Sequence, residues 1–319
     1  MSTRKSSINK AAKPPLALIA GPTASGKSDC AVRLALALIG RGRQAVVINA
    51  DSAQVYADLA VLSARPAATD MRGVPHVLFG AWDGASACSA ANWAERARAA
   101  IADVHAIDGV PILVGGTGLY LRTLLDGIAP VPEIDPCIRA EVRALPVKDA
   151  HAALQREDPA RAAALAPADV ARICRALEVV RSTGQSLIDW QRSKTGGISD
   201  AVQLYPAILL PPRTNVYQRC DARFAAMLAG GAIEEVRVLL GRCLDPTLPV
   251  MRAIGVAEIT AYLGGSVSLD DTVSQGSQAT RNYAKRQYTW FSRQIPVDWP
   301  RIESDDYELC QVFARLLRS

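Results

Sequence analysis

The chain lacks any apolar run near the roughly 18–20 residues a membrane-spanning helix needs, which excludes a helical membrane protein. Its seven cysteines are odd in number and scattered, and no Cys-x-x-Cys pair occurs. The three histidines, at 76, 105 and 151, do not gather beside them. Neither a disulfide framework nor structural zinc is expected, and reduced thiols in a cytoplasm fit best. No internal repeat is present, and no low-complexity tract beyond alanine richness. Residues 1–13 hold four basic and no acidic residues but no apolar stretch, so they read as a disordered basic tail rather than a secretory signal.

What is present is a chain of 319 residues, 50% of them hydrophobic, which excludes a disordered chain and leaves room for two domains or one large domain carrying an insertion. The net charge of +5 invites a nucleic-acid reading, but the tail supplies four of those charges. Residues 14–121 carry eight charges of each sign and residues 122–212 eleven of each. Bulk charge thus says little about a partner.

A short buried strand is expected at Leu16–Ala20, followed by Gly21-Pro-Thr-Ala-Ser-Gly-Lys-Ser28 and a helix to about Ile39. A second apolar run, Ala45–Ala50, ends at Asp51. Ser89 can cap an Ala-rich helix through about Ala106, and Val110–Val114 reads as a strand ending in Gly115-Gly116-Thr117. This alternation indicates a mostly parallel sheet covered on both faces. Three prolines in 130–136 open an Ala/Arg/Glu-rich helical stretch to about Trp190, and Leu204–Leu210 looks like a return to the sheet. The expectation is an α/β fold, a P-loop NTPase-like parallel-sheet core with a mainly helical insertion. The core takes 14–121 and 204–319, and the insertion takes 122–203.

Gly21-x-x-x-x-Gly26-Lys27-Ser28 matches the Walker A pattern, after a strand and opening a helix. The glycines let backbone amides turn around a phosphate, Lys27 reaches it, and the Ser28 hydroxyl suits Mg²⁺. Asp51 ends the second strand, at the sheet edge where α/β proteins bind ligands; it is a candidate general base or metal ligand, or a plain helix cap. Thr117 follows two glycines to the same edge, as an oxyanion donor or a cap. Arg219 and Arg223 stand four apart on an expected helix, suited to clamp a diphosphate or simply exposed. Arg281–Arg293 mixes four basic residues with four aromatics and no acid, suited to phosphate contact and base stacking or to an amphipathic core helix. In it Arg281, Lys285 and Tyr288 share a face, while Trp290 and Phe291 help complete an apolar one. Arg172, Arg175 and Glu178 share another helix face, by default as an ion-pair ladder.

Five stretches in order resemble the tRNA dimethylallyltransferase (isopentenyltransferase) family of bacterial type. They are 21–28, Asp-Ser-Ala-Gln-Val-Tyr (51–56), Val-Gly-Gly-Thr-Gly-Leu-Tyr (114–120), Arg-Ala-Leu-Glu (175–178) and Ala-Thr-Arg-x-Tyr-Ala-Lys-Arg-Gln-x-Thr-Trp-Phe (279–291), so the likeness spans about 16–295. The resemblance implies transfer of a dimethylallyl group from its diphosphate to N6 of adenosine 37 in tRNA. The P-loop residues Gly21, Thr23, Ala24, Ser25, Gly26, Lys27 and Ser28 would then cradle the diphosphate, with Arg223 beside them. Asp51 would take the proton, Thr117 hold a phosphate oxygen, and Arg219 neutralise the leaving group. Ser28 would ligate Mg²⁺. Contacts to tRNA would come from Asp51, Ser52, Ala53, Gln54, Thr117, Arg139, Arg172, Arg175 and Ala176, joined by Arg281, Lys285 and Arg286. The implied partner is the anticodon stem-loop of a tRNA bearing A36-A37, gripped by the insertion, with the enzyme a cytoplasmic monomer. This chain departs from the family's Gly-Thr-Ala-Lys-Pro at Leu62-Ser-Ala-Arg-Pro66, and at Val256-Ala257, where an aromatic and a basic residue are common. The Walker motif alone would also suit a P-loop kinase for a small metabolite, or an RNA-binding module that senses nucleotide.

Overall fold

The computed structural model describes residues 13–318, so the expected basic tail lies outside the described residues except for Lys13. Six parallel strands are present: β1 (Pro15–Ala20), β2 (Ala45–Asn49), β3 (His76–Val77), β4 (Val110–Gly115), β5 (Gln203–Leu209) and β6 (Arg301–Ile302). Their order across the sheet is β3-β2-β4-β1-β5-β6. The four inner strands fall where the apolar runs place them. The two-residue edge strands carry no apolar run and exist only as pairing partners of β2 and β5.

Every residue of the Leu16–Ala20 run is 0% exposed, as a central parallel strand with both faces covered requires. Ala17 and Ile19 pack with Val47, Ile112 and Ala207 against Cys30, Leu34 and Leu38 of the Lys27–Ile39 helix. Leu16 and Leu18 project to the opposite face, by the two-residue period of a strand. The Ala90–Ala106 helix packs on β2 and β4; Ser89 caps it by accepting from Asn92 N, and Trp93 Nε1 donates to Asn49 O at 2.9 Å. Register sets Ala20 beside Gly115 and Asn49 beside Val114, so the loops after β1, β2 and β4 leave one edge together.

Helix Leu269–Arg293, capped by Ser268, lies along helix Arg213–Met227 and buries Thr272, Gly276, Ala284, Gln287 and Phe291 on one stripe. A Cβ on Gly276 would come within 2.0 Å of the Phe224 ring, so only glycine lets the two helices close this tightly. Burying Phe224 contributes about 1.5–3 kcal/mol.

Residues Leu124–Ile198 form a separate compact unit, with boundaries inside the 122–203 stretch. It is mainly helical, with helices Pro136–Ala144, Val147–Glu157 and Val170–Thr183 around Val142, Leu154, Ile173 and Leu177. Asp135 and Asp169 cap two of these helices, and Arg181 bridges Glu141 at 2.7 Å and Glu157 at 2.8 Å. No described helix is long and apolar enough to cross a membrane.

Candidate active site

The loop between β1 and the Lys27–Ile39 helix packs tightly at its start and opens at its end. A Cβ on Gly21 would sit 2.4 Å from the Leu209 carbonyl oxygen, so glycine is required where the loop leaves β1 beside β5. Gly26, at φ +87°, is the N-cap of the helix. Lys27 is 9% exposed and donates to Pro22 O at 3.1 Å. Burial draws its ammonium down to about 8 from 10.5, with Asp51 opposing and Arg223 adding to the shift. Those influences put Lys27, Asp51 and Arg223 in one neighbourhood. The Ser25 hydroxyl is buried with no partner, and Ser28 is exposed.

Asp51, 7% exposed, is held by its own turn rather than by a helix. Its N–H donates to Asn49 Oδ1 at 2.9 Å, and its Oδ1 accepts from Ala53 N at 3.0 Å. The carboxylate thus caps a turn with one oxygen while its side chain lines the cavity. Thr117 turns inward instead. Its hydroxyl accepts from Ser52 N at 2.9 Å and donates to Ser52 Oγ at 3.1 Å, and its N–H reaches Ala50 O at 3.2 Å. Gly115 allows this join, since a Cβ there would meet Ala50 O at 2.1 Å. Thr117 is absent from the cavity wall and supports Ser52, which does line it.

A cavity of about 920 Å³ joins these loops. Lys27, Ser28, Arg223 and Asp51 line it, together with the apolar Leu59, Leu62, Phe224, Met227 and Ile254. Arg223 has no carboxylate paired with it among the described residues, and burial lowers its guanidinium below the ordinary range. An unpaired, partly dehydrated guanidinium beside a lysine and loop amides suits an anion.

The structure gathers Thr23, Ala24, Ser25, Gly26, Lys27, Ser28, Asp51, Ser52, Ala53, Gln54, Arg223 and Arg286 on this cavity. Other expected site residues are placed elsewhere. Arg219 donates to Asp305 at 2.7 Å. Arg281 pairs with Asp221 at 2.5 Å, and Lys285 is exposed away from the cavity wall. Gln54 lines the cavity, but its amide nitrogen is committed to Ser63 O and Ala64 O. In the 124–198 unit, Arg172 is exposed and pairs with Asp169, while Arg175 stands 3.7 Å from Glu178. The ladder is thus split, with Glu178 bound mainly by Arg143 at 3.0 Å. Arg139 is half-buried, and its Nε has no partner. Ala176 is 0% exposed in that unit's core, which removes its side chain from any contact with a partner.

Three residues at the site lie outside the expected set; Tyr283 and Gln287 stand within the 279–291 stretch, and Glu235 carries no mark in the sequence. Tyr283 lines the cavity beside Thr117, Ser52 and Asp51; burial first, then Asp51, pushes its phenol above the ordinary value and keeps it neutral. Glu235 accepts from the backbone amides of Ala60, Val61 and Leu62 and so holds the apolar wall. Gln287 sits between two site loops. Its signal was a lone amide on the apolar stripe of a helix, flanked by Ala284 and Phe291.

A Walker-type loop, a parallel sheet and a basic anion site at the strand ends define a P-loop, phosphate-binding α/β protein. The IPP transferase family model matches residues 54–294, well over half of the chain, and the chain belongs to that family. It is 65% identical over 306 residues to the tRNA dimethylallyltransferase of Erythrobacter litoralis, covering 96% of each chain. The tRNA dimethylallyltransferase of Novosphingobium aromaticivorans is 63% identical, with 87% of this chain and 99% of that one covered. Among solved structures, the tRNA isopentenylpyrophosphate transferase of Bacillus halodurans matches at TM-score 0.66 and 30% identity, covering 96% of this chain and 95% of that one. A eukaryotic dimethylallyltransferase acting on tRNA matches at TM-score 0.74 and 26% identity, covering 87% of this chain and 69% of its own.

Proposed function

We infer that this chain is a tRNA prenyltransferase, which transfers a dimethylallyl group from dimethylallyl diphosphate to N6 of adenosine 37 and releases diphosphate. One observation carries the reading: a single cavity joins an anion site, the Asp51 carboxylate and an apolar wall. Lys27 and Arg223 fit the diphosphate, and Leu59, Leu62, Phe224 and Met227 fit the prenyl chain. A kinase for a small polar metabolite would have no use for that wall, so the kinase reading is not favoured.

The exocyclic amine of adenine is a weak nucleophile, because its lone pair is delocalised into the ring. The protein therefore contributes orientation, a base and charge neutralisation. As the N6–C1 bond forms, the allylic C1–O bond breaks and its electron pair leaves on the diphosphate. Lys27, Arg223 and the loop amides receive that charge, and Asp51 takes the N6 proton. Thr117 holds Ser52, next to Asp51, in place.

The donor set suits magnesium carried in with the diphosphate. Ser28 offers an exposed hydroxyl at the helix start, and no group of three or more His, Cys, Asp or Glu among the described residues would hold a bare ion. Bound there, Mg²⁺ would neutralise diphosphate charge. In the 124–198 unit, Arg139 and Arg172 supply cations for the anticodon stem of a tRNA with A36-A37, and Arg286 supplies one at the cavity. The free thiols along the chain suit a reducing cytoplasm.

The test is incubation of the purified protein with dimethylallyl diphosphate, Mg²⁺ and unmodified tRNA, followed by mass spectrometry of the nucleosides. N6-dimethylallyl-adenosine is expected. No product with any of several A36-A37 tRNAs would falsify the reading.

A further inference from the structure

Gln287 is 5% exposed, and both ends of its amide are spoken for. Oε1 accepts from Thr23 N at 2.8 Å, and Nε2 donates to Gly116 O at 2.9 Å. The two partners fix which end is oxygen, because one is an N–H and the other a carbonyl. Gly116 is shaped to the contact: a Cβ there would lie 2.2 Å from Nε2.

Thr23 belongs to the P-loop, which faces the leaving group. Gly116 precedes Thr117, whose N–H and hydroxyl are bonded to Ala50 and Ser52 on either side of Asp51. The amide therefore links the loop that would hold the departing diphosphate to the loop that braces the base. Tyr283, one turn earlier on the same helix, lies beside Thr117 and Ser52 at the same join. Thr23 N–H is also withdrawn from the loop amides open to a phosphate, so the anion cradle begins after Thr23.

We propose that Gln287 is a positioning residue for prenyl transfer, setting the separation between the diphosphate cradle and Asp51 by clamping Thr23 to Gly116. This rests on the prenyltransferase reading above. In-line displacement depends steeply on how far apart donor and acceptor are held, and a displacement near 1 Å costs about a hundredfold in rate.

Two variants test it. Gln287→Met removes both hydrogen bonds at similar length, and Gln287→Glu keeps the acceptor for Thr23 but loses the donor to Gly116. Expected for each is a fall in single-turnover rate of about ten- to a hundredfold per active site, with KM for both substrates within about threefold. A residue that only stabilised the fold would lower the active fraction and Tm while leaving the rate per titrated site unchanged, and that result would overturn the proposal. Hydrogen exchange needs no activity: the Thr23 amide should be protected in wild type and released in Gln287→Met, and unchanged exchange overturns the clamp. If wild type makes no prenylated tRNA, the functional reading fails with it, while the clamp is judged by exchange alone.

Discussion

Arg219 donates to Asp305 at 2.7 Å, and that pairing separates its role from that of Arg223, one turn further along the same helix. Arg223 lines the cavity with no carboxylate partner, while Arg219 spends its charge at the surface. Arg223→Ala should raise KM for dimethylallyl diphosphate about ten- to a hundredfold, as expected for a lost charge-assisted contact. Arg219→Ala should change it by less than about threefold, because exposed pairs contribute little. Steady-state kinetics on the two variants decides, and equal losses would put both arginines on the diphosphate.

Asp51 is the carboxylate on the cavity beside Lys27 and Arg223. Asp51→Asn keeps the shape and the turn but cannot take a proton. Turnover should fall about 10²–10⁴-fold, the usual contribution of a positioned base. Binding of the diphosphate donor, followed by calorimetry, should change little.

Lys27 gives a pH dependence with a definite sign. Burial brings its folded-state value to about 8, below the 10.5 of an exposed lysine. The empty enzyme therefore loses this positive charge as pH rises through about 8, and affinity for diphosphate should fall there. For stability the direction is opposite. Between about 8 and 10.5 the unfolded chain binds more protons, so the Lys27 contribution rises with pH across that window. Lys27→Met should raise Tm at pH 7 and lose that advantage by about pH 10.5, and an advantage that grows with pH would reverse the assignment.

Glu235 joins the apolar wall to a helix that begins 171 residues later than Leu62. Glu235→Ala leaves the amides of Ala60, Val61 and Leu62 without their acceptor. A loss of about 1–3 kcal/mol is expected from urea denaturation, with a raised KM for the prenyl donor as the wall loosens. Glu235→Gln, which keeps an acceptor, should lose less.

The P-loop, Asp51 and the four inner strands were legible because each is a contiguous pattern whose meaning is local: a run of apolar residues, then a fixed spacing of glycines before Lys27-Ser28. The face of an arginine four residues from another was not, since the choice between Asp305 and the cavity depends on a C-terminal residue that helical spacing cannot register. Ala176 sat inside a quoted motif, yet its methyl belongs to the helical unit's core. The Thr117 hydroxyl looked available to a ligand and is instead bonded to Ser52.

By itself the sequence determined a phosphate-binding loop with a carboxylate near it at the strand ends, because both are set by residue type and spacing; the reaction came only with the family the motifs resemble. Ordered motifs determined the family. Tertiary structure alone decided which groups face the cavity and which brace them, as the bonds from Gln287 to Thr23 and from Glu235 to Leu62 join residues far apart in the chain. Such contacts exist only after packing has fixed the separations at which a hydrogen bond can form.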